Sequence, residues 1–196
     1  MQSPQQLIML CDLLYKTRYC GGGVVEVGCA YGWTTVFLNR YLSELKSEKK
    51  YFALDTFKGF ESSDINFEKE KRMKEHEDYS EFQANSKRWF DETMRINGIR
   101  RVTSFKVDVK KFDFSNLGSI SFCLIDVDIY KPTKIALEKV WPLLSPGGVI
   151  IVDDCIPNYY YDGSLQAYSE FIKENNLSEQ IVNNFGIIQK TNKNAV

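Results

Sequence analysis

Residues 24–32 read Val24-Val25-Glu26-Val27-Gly28-Cys29-Ala30-Tyr31-Gly32. The first four are short, rich in valine and preceded by Gly21-Gly22-Gly23, so they read as a buried strand. Gly28 to Gly32 form a turn, and Trp33, Val36, Phe37 and Tyr41 continue at helical spacing to about Leu45. Strand, glycine turn and helix are the opening of a βαβ unit.

The pattern repeats in both directions along the chain. Upstream, Ser3-Pro4 starts a helix whose Leu7, Leu10, Cys11 and Leu14 fall on one face. Downstream, further strands are expected at Tyr51–Leu54, Val102–Val107, Ile120–Ile125 and Gly148–Val152. Helices are expected near 84–97, 132–144 and 164–175. Two short strands around Asn183-Asn184 and Gly186 suggest an antiparallel edge. Apolar strands alternating with amphipathic helices predict an α/β fold with a mostly parallel sheet and helices on both faces. Residues 1–196 read as one domain, with an N-terminal helix in 1–23 and a charged insertion at 58–82. The insertion reads either as a solvated helical segment or as a lid over a ligand crevice.

Composition narrows the function. The chain has 196 residues, is 43% hydrophobic and carries a formal net charge of −1. That is enough apolar content for a core without staples, and too little positive charge for a nucleic-acid or acidic-membrane partner. Five cysteines, Cys11, Cys20, Cys29, Cys123 and Cys155, are odd in number and lack metal-site spacing, which suits a reducing, cytoplasmic setting. No apolar run approaches the ~20 residues that span a bilayer. His76 is the only histidine.

The strand ends carry the chemistry. Glu26, Asp55, Asp108, Asp126 and the Asp153-Asp154 pair each lie at or just beyond a strand's carboxyl end, where α/β sheets bind ligands. Each alone could cap the following helix. Together on one rim, they call for a cationic or hydroxyl-rich ligand. The glycine turn departs from the dinucleotide G-x-G-x-x-G pattern, with Ala30 and Trp33 at its second and third glycine positions. A positively charged nucleoside without phosphates, S-adenosylmethionine, fits better. Asp55 would accept its ribose hydroxyls, Asp108 its adenine amino group, and Glu26 with the Gly28 turn would face its methionine part. Asp126, in Asp126-Val127-Asp128-Ile129-Tyr130, with Asp153 and Asp154 offers hard oxygens for Mg2+, or Mn2+ or Ca2+. Such a cation would lower the pKa of a substrate hydroxyl. His76, within the insertion, is the candidate base. Lys110, Lys111 and Lys131 read as solvated. Tyr159-Tyr160-Tyr161 reads either as a substrate wall or as core packing.

Four stretches carry a family resemblance: V-E-V-G-C-A-Y-G (25–32), A-L-D-T-F-K-G-F (53–60), L-I-D-V-D-I-Y-K-P-T (124–133) and L-S-P-G-G-V-I-I-V-D-D (144–154). They resemble the macrocin O-methyltransferase family, class I S-adenosylmethionine-dependent enzymes that methylate sugar hydroxyls of macrolides and related molecules. The resemblance implies a seven-stranded Rossmann-like methyltransferase fold and magnesium held by Asp126, Asp153 and Asp154. It also implies a catalytic histidine matching His76, working beside Asp126. Cofactor contacts fall on Glu26, Gly28, Ala30, Tyr31, Gly32, Asp55, Thr56, Asp108 and Asp126. The family's longer N-terminal region, which shapes pocket and oligomer, has a counterpart here of only about 23 residues before the first strand, and a homo-oligomer is left open. The acceptor expected is a hydroxyl of a sugar or other small natural product. A catechol-type phenol, or a non-methylating nucleotide-binding oxidoreductase, are the alternatives.

Overall fold

Ser3 begins the first helix by the mechanism its sequence suggests. Its side chain accepts from the Gln6 backbone N–H while the Gln6 side chain accepts from the Ser3 backbone N–H, and Pro4 needs no donor at the first helical position. The computed structural model describes residues 2–74, 79–80, 82–159 and 161–191. Helix α1 spans Pro4–Lys16, β1 Gly23–Val27, α2 Trp33–Glu44, β2 Tyr51–Asp55, α3 Ser62–Lys71, α4 Lys87–Ile96 and β3 Val102–Lys106. The second half continues with β4 Ile120–Ile125, α5 Tyr130–Val140, β5 Leu144–Val152, α6 Gly163–Glu174, β6 Ile181–Val182 and β7 Phe185–Gln189.

The strands form one seven-stranded sheet in the order β3-β2-β1-β4-β5-β7-β6. The first five run parallel, and β7 pairs antiparallel with both β5 and β6. Asn183 and Asn184 make the closing hairpin turn, both with positive φ, as a two-residue turn requires. Alternate strand residues separate two cores. Val24, Tyr51, Phe122 and Ile151 pack with Leu10 and Leu14 of α1, Leu38 of α2 and Phe90 of α4. Val25, Cys123 and Ile150 pack on the other face with Leu137 of α5 and Phe171 of α6. Continuous burial of β1 and β4 follows from being covered on both sides. Among the described residues no helix is long and apolar enough to cross a membrane.

Several boundaries differ from the sequence expectation. The helix expected to reach residue 144 stops at Val140, and Trp141–Leu143, with Pro142, form a short 3-10 turn instead. Strand β5 begins at Leu144 rather than Gly148, and β3 ends at Lys106. Helix α4 starts at Lys87 because Ser86 caps it, accepting from the Trp89 N–H.

The helical part of the charged insertion is exposed over much of its surface but is anchored through one buried face. Asp64 and Glu68 are the buried residues of α3. Asp64 pairs with Lys110, beyond β3. Glu68 pairs with Arg72 and also accepts from the Tyr130 N–H at the start of α5, 2.9 Å away. Arg72 reaches on to Asp162 at 2.7 Å, before α6. The ion pairs of Asp64 and Glu68 anchor this helix beside the carboxyl edge of the sheet.

Candidate active-site cleft

The strand exits are level. Val27 of β1 lies opposite Leu54 of β2 and Ile125 of β4, and Ile125 lies opposite Val152 of β5. Gly28, Asp55, Asp126 and Asp153 therefore emerge side by side. The ladders continue one step beyond the strands, with Gly28 N–H donating to Leu54 O at 2.8 Å, Asp126 N–H to Val27 O at 2.8 Å and Asp153 N–H to Ile125 O at 2.9 Å. The chain leaves β1 toward β2 and returns to β4 on the other side, so a topological switch point lies between β1 and β4. A cleft of about 630 Å3 opens there.

Of the residues expected to bind a cofactor, Glu26, Gly28, Ala30, Tyr31, Asp55, Thr56, Asp108 and Asp126 all line this cleft, as do Asp153 and Asp154. Gly32 does not. Its φ of 83° is left-handed, and a Cβ there would also meet the Met94 side chain at 2.6 Å and the Phe90 ring at 3.0 Å, so glycine serves the turn and the helix packing. Gly28 is required by backbone contact: a Cβ would sit 1.7 Å from the Asp126 carbonyl oxygen. Its neighbour Ala30 adopts a left-handed φ of 42° without a glycine's freedom.

Asp55 braces the turn. One carboxylate oxygen accepts from Cys29 N–H at 2.9 Å and Ala30 N–H at 2.8 Å, and the other from Phe57 N–H at 2.7 Å. Three of its acceptor directions are thus committed to backbone. Thr56 donates its hydroxyl to Gly59 O at 2.6 Å. Glu26 is buried, and one of its oxygens accepts from the Thr35 and Tyr51 hydroxyls, both at 2.6 Å. Burial pushes its carboxyl up to about 7. Asp108 accepts from the Lys110 backbone N–H at 3.0 Å, and the Lys110 ammonium lies 3.6 Å from it. Lys110, expected in solvent, is instead held between Asp64 and Asp108. Lys111 is exposed as expected, and the Lys131 ammonium sits over the Phe67 ring.

The acid cluster is the other end of the cleft. Asp126, Asp128, Asp153 and Asp154 converge beyond β4 and β5. Asp128 and Asp154 have left-handed φ of 61° and 54°, a conformation Asp tolerates better than most residues. Burial first, then the neighbouring carboxylates, raises Asp126 and Asp128 well above the usual range and Asp153 to about 6. No described Lys or Arg side chain forms an ion pair with any of the four. Asp153 accepts from the Asp154 backbone N–H at 2.8 Å, and further donors come from Gln2, just ahead of α1, and Gln6 on it. The Gln2 amide nitrogen donates to Asp126 at 2.9 Å and to Asp153 at 2.7 Å, and that of Gln6 to Asp153 at 3.1 Å. Among the described residues, no three His, Cys, Asp or Glu side chains are already arranged as cation ligands. Gln2, Gln6 and Asp128 were not expected at the site. Only Asp128 has a sequence signal, as the second acid of the Asp126-Val127-Asp128 stretch.

Aromatic rings cover this end. Tyr161 is buried against Tyr79 and Ile129, and Tyr159 is partly buried. Phe60 joins the group, with ring centroids 5.8 Å from Tyr161 and 5.7 Å from Phe82. His76 and Tyr160 lie outside the described residues.

Residues 25–155 match the family described as methyltransferase domain. The chain belongs to that family. This methyltransferase domain is 24% identical over 169 residues to the 8-demethyl-8-(2,3-dimethoxy-alpha-L-rhamnosyl)-tetracenomycin-C 4'-O-methyltransferase of Streptomyces olivaceus, a match covering 82% of this chain. It spans 61% of that relative's length. Its fold is similar to that of the O-methyltransferase NovP, with a TM-score of 0.79 at 17% identity over 95% of this chain and 80% of the other. It is also similar to the calicheamicin methyltransferase CalS11, with a TM-score of 0.76 at 17% identity over 94% of this chain and 78% of the other. The methyltransferase domain thus has the α/β, Rossmann-like fold of the class I enzymes.

Proposed function

We propose that the chain is an S-adenosylmethionine-dependent O-methyltransferase acting on a hydroxyl of a sugar or other small natural product. The observation that carries this reading is the cleft at the switch point, with a glycine turn at one end and, at the other, four carboxylates that no described Lys or Arg side chain pairs with. The tetracenomycin relative, named for 4'-O-methylation of a rhamnosyl compound, supports the acceptor class.

The residues divide by position. Those around the Gly28 turn, Glu26, Ala30, Tyr31, Asp55, Thr56 and Asp108 bind the methyl donor. Asp55 does so mainly by fixing the turn. Asp126, between the turn after β1 and the acids after β5, borders both donor and acceptor. The acceptor oxygen attacks the methyl carbon, the carbon–sulfur bond breaks, and the sulfonium becomes a neutral thioether. The acceptor's proton passes to a base, a role we assign to His76 from the family resemblance. Proximity and exclusion of water by the aromatic cover supply much of the acceleration.

The carboxylate oxygens are of the kind that suits a hard divalent cation, although among the described residues no three of them stand preset as ligands. Asp126, Asp153 and Asp154 would hold it, and Asp126 and Asp153 now receive amide donors from Gln2 and Gln6. When bound, Mg2+ would lower the pKa of the acceptor hydroxyl and stabilise the alkoxide. Transfer of a labelled methyl group to a panel of glycosides and catechols, with and without chelator, tests the activity. Chelator-insensitive transfer would remove the metal from the account and leave the methyltransferase reading standing.

A further inference from the structure

The insertion helix carries a carboxylate into the wall of the cleft. Asp64 is the third residue of α3, and its N–H donates to Glu61 O at 2.9 Å. It lines the cleft together with Asp55 and Thr56 from beyond β2 and with Val107, Asp108 and Val109 from beyond β3. The residue is 4% exposed. One of its oxygens, Oδ2, pairs with the Lys110 ammonium. The other, Oδ1, is buried and receives no hydrogen bond, the one described carboxylate oxygen in that state. A buried acceptor without a donor costs stability, and more so when it carries charge. No described side chain or backbone N–H supplies the missing donor, and the space that the residue borders is the cleft.

The other acids at this end are already engaged. Asp55 accepts three backbone N–H groups. One Asp108 oxygen accepts from the Lys110 N–H at 3.0 Å, and the other faces the Lys110 ammonium at 3.6 Å. Glu61 pairs with Lys58 at 2.9 Å. Lys110 joins Asp64 to Asp108, which sets Asp64 on the β3 side of the cleft, where the donor's base is expected, rather than beside Asp55 and the ribose. Asp64 is also firmly held. The ties from Glu68 to Arg72 and to the Tyr130 N–H, and from Arg72 to Asp162, fix α3 against the starts of α5 and α6. An acceptor fixed before its ligand arrives leaves less ordering for binding to supply.

We infer that Asp64 is a donor-binding residue: once the methyl donor is seated, its unpartnered oxygen turns to the cleft and accepts from the exocyclic amino group of the adenine. This rests on the methyltransferase reading above and gives the base a free buried acceptor that the strand-end acids, already engaged, do not supply. A carboxylate at that edge favours a base with an N–H donor there over one without. It also gives the ion pairs of α3 a consequence for binding, because moving the helix moves the acceptor.

Calorimetry of the full chain tests this with two ligands, S-adenosylhomocysteine and its analogue with an unsubstituted purine, which lacks only the amino group. The analogue is expected to bind the parent chain about tenfold or more weakly, the loss of one bond to a charged acceptor. In Asp64→Ala the two should bind within about twofold of each other, since the acceptor is gone. A purely structural role for Asp64 would weaken both ligands alike and leave their ratio as in the parent. Asp64→Asn keeps the shape of the side chain and an oxygen for Lys110. Its gap should fall below the parent's, which reads out the inference should Asp64→Ala fail to fold. Equal affinities in the parent overturn the inference, and so does a parent-sized gap in either folded variant. A chain that binds neither ligand instead overturns the functional reading on which the inference rests.

Discussion

Glu26 shows how a single carboxylate can be both structural and titratable. It is buried at the end of β1, held by the Thr35 and Tyr51 hydroxyls, and burial lifts it to about 7 from an ordinary value of 4.5. A carboxyl whose folded value is raised binds its proton more tightly when folded. Its contribution is therefore fully present below pH ~4.5 and is lost as pH rises through ~7, a change of roughly 3 kcal/mol. Glu26→Gln should remove that share of the pH dependence, so the difference in melting temperature between pH 5 and pH 8 should shrink. Equal differences in variant and parent would contradict the assignment. At the opposite end of the cleft, Asp153→Asn should reduce divalent-dependent methyl transfer by about 100-fold or more, since a ligand's loss exceeds that of its supporting contacts. Calorimetry should find S-adenosylhomocysteine affinity within about threefold of the parent, because Asp153 follows β5, three and four strands from β2 and β3, which carry the residues assigned to the donor's adenosine. The acids at the strand ends were legible because each interrupts an apolar run. Gln2 was not, because its bond to Asp126 joins positions 124 apart and nothing local marks it.

At the scale of elements, the sheet was legible and the insertion was not. Strands β1, β4 and β5 are apolar because both faces are covered, and that pattern stands out in a sequence. Helix α3 hides its role because its buried residues are charged. Asp64 and Glu68 look solvent-facing until Lys110 and Arg72 are seen to neutralise them. The Glu68–Arg72 pair is nearly inaccessible, with side chains 3% and 6% exposed, and ties α3 to the starts of α5 and α6. Removing one partner leaves a buried charge uncompensated, at a cost of about 3 kcal/mol or more. Arg72→Met should lower the melting temperature sharply, and Glu68→Gln added to it should recover part of the loss. Strictly additive losses in a double-mutant cycle would contradict coupling between the two. The misjudged end of α5 has a plainer cause, since Pro142 cannot continue the helical ladder and the 3-10 turn there hands the chain early to β5.

For the whole molecule, level strand exits turn separate local features into one site. Register across β2, β1, β4 and β5 brings a glycine turn, a braced Asp55 and an acid cluster to one edge, although they run from residue 28 to residue 154 of the chain. That arrangement distinguishes a sulfonium nucleoside from a dinucleotide, whose pyrophosphate would face the same carboxylates. The competing oxidoreductase reading requires the opposite preference. Calorimetric titration of the purified chain with S-adenosylhomocysteine and, separately, with NAD therefore decides between the two ligands. The account expects saturable binding of S-adenosylhomocysteine, at one site per chain, and no detectable heat from NAD. Saturable binding of NAD without binding of S-adenosylhomocysteine would contradict it.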